Sequence, residues 1–153
     1  NYSNGHIHCE VIIDTKNKIW LVECTNRGAG VFTSSIINPY VSNKSLNNLY
    51  IKLKLGEKIS IKTNRFDEFK QNNASLMFPS LGKEGQILYS SNYQKICSHP
   101  KVLAFKLFSK IGRPLSVQHD GPSRHFAIAL STSDDYEIDD IIKEIKKDYF
   151  LIS

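Results

Sequence analysis

The chain has 153 residues, 41% of them hydrophobic, with a formal net charge of +5. That length supports one domain with a real core, and the longest apolar runs are too short to cross a membrane as a helix, so a soluble, cytoplasmic protein is expected. The positive balance invites nucleic acid, but the lysines at 52, 54, 58 and 62 read as a solvated face. No RRM, KH or zinc-finger signature accompanies them, and the aromatics lie in apolar segments instead of forming a stacking platform. Cys9, Cys24 and Cys97 are an odd number without CxxC spacing, which argues against a disulfide framework and a structural zinc site.

In chain order, the first expected element is a hairpin. An apolar strand through Glu10 to Asp14 is followed by the polar stretch Thr15 to Ile19 as a turn, and then by a strand over Ile19 to Cys24. Side chains alternate along a strand, so His6, His8 and Glu10 share one face, and Glu10 and Glu23 converge if the strands pair. Cys9 and Cys24, one residue from the glutamates, then take the opposite face, where core packing is expected. A His-x-His-x-Glu metal cluster is open at this point, although a histidine at a strand start more commonly lies at the surface.

Two neighbouring carboxylates repel unless a cation lies between them or one carries a proton. Magnesium prefers oxygen ligands and is held by one or two carboxylates. The plain alternative is a hairpin whose acids are merely solvated. Arg27, Gly28 and Gly30 follow the second strand at once. Glycine lets a backbone draw close to an anion, and the arginine fork suits phosphate or carboxylate.

Further along, Ser45 to Leu55 carries Leu46, Leu49, Tyr50 and Leu53 at helical spacing, with Gly56 as the stop, and reads as a helix packed on the core. Thr63 to Asn73 is polar and reads as a loop or short helix. Strands are expected at Leu76 to Phe78, Ile87 to Tyr89, Val102 to Phe108 and Phe126 to Leu130, with turns at Gly82, Gly85, Gly112 and Gly121. The alternation over Val102 to Phe108 is imperfect, which leaves a short helix open there. Ser133 to Lys147 is helical, with Ile138, Ile141, Ile142 and Ile145 on one stripe, and Tyr149 to Ile152 closes the sheet. The whole reads as one α+β domain, a mostly antiparallel sheet with flanking helices. Arg124 before an apolar strand is a further candidate for an anionic ligand, beside the commoner reading of an exposed arginine.

The order of these features, from His8-Cys9-Glu10 through Trp20-Leu21-Val22-Glu23 to Arg27-Gly28-Ala29-Gly30, Phe32 to Tyr40 and Leu53 to Glu57, resembles the C-terminal half of the ATP-grasp ligases. The match is most specific over the first third of the chain. It implies ATP and Mg2+ as cofactors, Glu10 and Glu23 as metal ligands, and Arg27 on the transferring phosphate or the substrate carboxylate. His8, Gly28 and Gly30 would belong to the nucleotide site. The family's asparagine two residues after the second glutamate is Thr25 here, with Asn26 next, so either completes the metal shell. The implied reaction activates a small carboxylate as an acylphosphate for attack by an amine.

The chain begins at Asn1 and carries no glycine-rich phosphate loop or paired nucleotide lysines. It is therefore expected to be a C-terminal piece of such a ligase that turns over no ATP by itself. No nucleic-acid or membrane partner is expected, and a homodimer is left open. The competing reading is a non-catalytic module that binds a small anion or a protein through the same turn.

Overall fold

The computed structural model describes residues 5–59 and 72–153. Strands β1 (His8–Ile13) and β2 (Ile19–Thr25) form an antiparallel hairpin of their own. Asp14 organises its turn: Oδ1 accepts from the backbone N–H groups of Lys16 and Lys18 at 2.8 and 3.0 Å, while Asn17 takes the left-handed conformation at φ 58°. A short π turn, Thr33–Ile37, leads into helix α1 (Asn38–Ser42). Helix α2 (Leu46–Lys54) starts where expected, since the Ser45 hydroxyl accepts from Asn48 N–H at 3.2 Å, and it stops at Gly56 with φ +82°.

The core lies in the second half. Strands β3 (Ser75–Met77), β6 (Phe126–Leu130) and β5 (Val102–Leu107) form one antiparallel sheet in the order β3-β6-β5, and all five residues of β6 are buried. A central strand covered on both faces has no use for polar alternation, which is why Phe-Ala-Ile-Ala-Leu is apolar throughout. Strand β4 (Leu88–Ser91) pairs with β7 (Phe150–Ile152) in a third sheet. Helix α3 (Tyr93–Ser98) follows β4, and helix α4 (Asp135–Asp148) precedes β7. Asp134 caps α4 by accepting from Glu137 N–H at 2.9 Å, and Ile138, Ile141 and Ile145 bury one stripe of it against the core. Phe105, Phe126 and Phe150 meet there with ring centroids 5.6–6.1 Å apart.

The α+β class and the antiparallel pairing stand, but the described strands make three small sheets instead of one. The last strand closes onto β4, not onto the β3-β6-β5 sheet. Val102 to Leu107 is a strand, and a register shift between Val102 and Ala104 explains its broken alternation. The strand expected from Ile87 begins one residue later, at Leu88, with Ile87 making only an isolated bridge to Pro114. Helix α3 has no counterpart among the expected elements, because its six residues bury a single apolar side chain, Ile96. The stretch Thr63 to Gln71 and Lys62 lie outside the described residues. No helix among the described residues is long and apolar enough to cross a membrane.

Candidate functional site

The hairpin register decides what the first segment can do. His8 pairs with Thr25, Cys9 with Cys24, and Glu10 with Glu23. Directly opposed residues share a face, and faces alternate, so Glu10, Glu23, His8 and Thr25 lie on one side and both cysteines on the other. A bulge after Glu10 shifts the pairing to Val11 with Leu21, which ends the regular ladder beside the two glutamates. Both glutamates are exposed, so their mutual repulsion is moderated by water.

On the carboxylate face Thr25 is half-buried, and its Oγ1 has no hydrogen-bond partner among the described residues. A buried hydroxyl without a partner is uncommon, and a ligand is one of the things that satisfies it. Two carboxylates and a hydroxyl make an all-oxygen donor set, which fits magnesium better than zinc or copper. Among the described residues no group of three or more His, Cys, Asp or Glu gathers at metal distance, so the His-x-His-x-Glu cluster does not form. The reason is local. His6 turns to α2, with Nε2 donating to Leu46 O at 2.8 Å and its ring 4.7 Å from Tyr50.

The turn after β2 is placed beside a cleft of about 360 Å³ that runs between the start of β1 and α2. His8 and Gly28 line it, together with Ser34, Asn38, Leu49 and Tyr50. A methyl group on Gly28 would come within 3.0 Å of Ser34 Oγ and 3.1 Å of His6 Nδ1, so a side chain there would press on both residues of the cleft wall. A methyl group on Gly30 would meet nothing within 4 Å, so that glycine faces open space. Arg27 is exposed, and its Nη1 donates to Gly28 O at 3.1 Å, while among the described residues its other N–H groups meet no acceptor and could face an anion. Asn26 is exposed at the end of the strand. Glu10, Glu23 and Arg27 do not line this cleft.

Two expectations are corrected. Cys9 and Cys24 do not pack in the core; both are exposed, in a hairpin that no third strand joins among the described residues. Their sulfurs lie 3.3 Å apart. Hydrogen bonding to Cys24, with some desolvation and the Cys24 charge, pushes the Cys9 thiol above its ordinary range. The apolar stripe of α2 is likewise not core, since none of that helix is buried, and Leu46, Leu49, Tyr50 and Leu53 form a wall of the cleft.

Arg124 lies over the Phe78 ring, 3.7 Å from its centroid, and that stacking accounts for the residue without a ligand. One buried histidine carries no signal in the sequence. His125 is 1% exposed, with Nδ1 accepting from Leu81 N–H at 3.0 Å and Nε2 donating to Ser116 O at 2.7 Å. Both ring nitrogens are spent on backbone, so this histidine braces loops and has no lone pair to lend to chemistry. The Thr25 hydroxyl, without a partner among the described residues, does have a sequence signal, its place two residues past Glu23; the cleft has none, because it depends on where α2 comes to rest beside the segment that leads into β1. A scan against protein-family models finds no match for the chain, and comparison with curated proteins finds none either.

Proposed function

We propose that the β1-β2 hairpin and the turn after it are the magnesium- and phosphate-handling part of an ATP-grasp type ligase, one that joins a small carboxylate to an amine. The single observation that carries this reading is the direct cross-strand pairing of Glu10 with Glu23. The partnerless Thr25 hydroxyl on the same face supports it, and the order of carboxylate, turn, carboxylate, arginine and glycines is that of the family it resembles.

Magnesium bound there would offset the negative charge of the ATP phosphates. Glu10 and Glu23 would hold it from two strands, with the Thr25 hydroxyl or Asn26 as the next ligand. Arg27 stabilises charge on the phosphoryl group as a carboxylate oxygen attacks phosphorus and the bond to ADP breaks. The amine then attacks the acyl carbon, inorganic phosphate leaves, and the amine proton passes to solvent. His8 and Gly28, on the cleft wall, border the nucleotide.

Mn2+ is a spectroscopic stand-in for Mg2+ that tests the ligand assignment on this chain. Glu10→Gln and Glu23→Gln are each expected to weaken Mn2+ binding roughly tenfold or more, the scale on which ligand charge tunes carboxylate sites. Equal Mn2+ affinity in parent and both variants would sink the assignment. In the full-length protein, hydroxylamine should trap the activated carboxylate as a hydroxamate in step with ADP release.

A second reading, a non-catalytic protein-binding module, draws on the hairpin's surface. Val11, Ile12, Ile13, Ile19, Trp20, Leu21 and Val22 are each 47–65% exposed, and apolar exposure on that scale marks interaction surfaces. Metal-independent function of the full-length protein with both glutamates replaced would favour it.

A further inference from the structure

We infer that Cys9 and Cys24 are a redox-active dithiol that forms a reversible cross-strand disulfide by exchange with a small-molecule disulfide such as oxidised glutathione. The observations are geometric. The two residues are direct partners in the hairpin ladder, their sulfurs are already 3.3 Å apart, and both are exposed. A disulfide needs the sulfurs to close to about 2 Å with Cα atoms about 4.4–6.8 Å apart, and directly opposed antiparallel residues lie about 4.5–5.5 Å apart, inside that window.

The exchange balances without a further oxidant. One cysteine, as thiolate, attacks a sulfur of the small disulfide and expels one small thiol, leaving a mixed disulfide on the protein. The second cysteine loses its proton to solvent, attacks the protein-side sulfur and expels the second small thiol. The small disulfide is thereby reduced to two thiols as the protein dithiol is oxidised. Because the second thiol is already in contact with the first, this step is intramolecular and outruns attack of the second cysteine on another molecule of the small disulfide. Cys97 is exposed too, but it stands on α3, outside the hairpin ladder that pairs the other two, so it stops at the mixed disulfide.

The product lies on the hairpin face opposite Glu10 and Glu23 and locks the register that sets those carboxylates side by side. This assignment stands on the cysteines alone and holds whatever the glutamates bind. Its test is to equilibrate the protein in glutathione buffers of rising oxidised fraction, trap free thiols by alkylation and map peptides without reduction. The expected product links the Cys9 and Cys24 peptides with loss of two hydrogens, carries glutathione only at Cys97, and returns to free thiols with dithiothreitol. Cys24→Ser should convert Cys9 into a persistent glutathione adduct, at least tenfold more abundant than in the parent. Glutathione accumulating on Cys9 or Cys24 of the parent as it does on Cys97, or both thiols staying free when Cys97 is modified, would overturn the inference. Comparable Cys9 adduct in parent and Cys24→Ser would do the same.

Discussion

His125→Leu should destabilise the fold while leaving its chemistry untouched. The substitution removes both ring nitrogens and leaves Leu81 N–H and Ser116 C=O facing a hydrocarbon side chain in a site only 1% exposed. The orphaned Leu81 N–H is buried and costs about 1–3 kcal/mol, the Ser116 carbonyl belongs to an exposed residue and costs less, and the leucine regains part of the loss through apolar burial, so a net loss of about 1–2 kcal/mol is expected. With a urea slope of about 2 kcal/mol/M, the unfolding midpoint should fall by about 0.5–1 M. His125→Gln, which keeps one acceptor and one donor, should recover part of the loss. His119→Leu, at an exposed position, should stay within about 0.5 kcal/mol of the parent. Far-UV circular dichroism across a urea series measures all four proteins. A His125→Leu midpoint indistinguishable from the parent would refute the bracing role.

Arg27→Lys in the full-length protein should lower turnover about tenfold or more at an unchanged melting temperature, because a lysine keeps the charge but not the fork; steady-state kinetics beside a thermal melt decides it, and parental turnover would make Arg27 a plain surface residue. The Asp14 carboxyl is held below the usual aspartate range, first by the Lys18 backbone N–H, then by the Trp20 indole N–H and the Lys16 backbone. Its contribution to the hairpin is therefore present above the ordinary aspartate range and lost as pH falls through the depressed value. The chain's one tryptophan reports this directly: Trp20 emission should change below the ordinary aspartate range, and a midpoint at or above that range contradicts the argument. Ile145→Ala, which empties a fully buried position on α4, should cost about 2–5 kcal/mol in the same urea assay.

What the sequence reveals depends on how local the cause is. Helices α2 and α4 carry their own start and stop signals in Ser45, Gly56 and Asp134, and they appear within a residue or two of the expected bounds. The hairpin register is legible for a similar reason. In an antiparallel pair the two partner numbers add to a constant, so once Glu10 faces Glu23, Cys9 must face Cys24 and His8 must face Thr25. Burial is the part that fails. Leu49 and Leu53 look like core by period, but period gives only the side of a helix, and what lies opposite is decided by distant chain. For the same reason the thiols, correctly placed on the face away from the glutamates, turn out exposed: nothing local says whether a second layer covers that face. The division into three sheets is hidden likewise, since β4 can find β7 only after α4 has brought the chain back.

Stability in this molecule is unevenly distributed. Strand β6 is buried along its length between β3 and β5, so its amides should exchange with solvent only when the whole fold opens, whereas the β1-β2 hairpin pairs with no third strand among the described residues and has exposed side chains. Hairpin amides should therefore exchange by frequent local opening. Such opening would part the two glutamates, and any cation that bridges them, or any bond that joins the strands behind them, should slow it without touching the core. Fast exchange in β1 and β2 that slows on addition of a divalent ion would place the ligand's ordering effect in the hairpin alone.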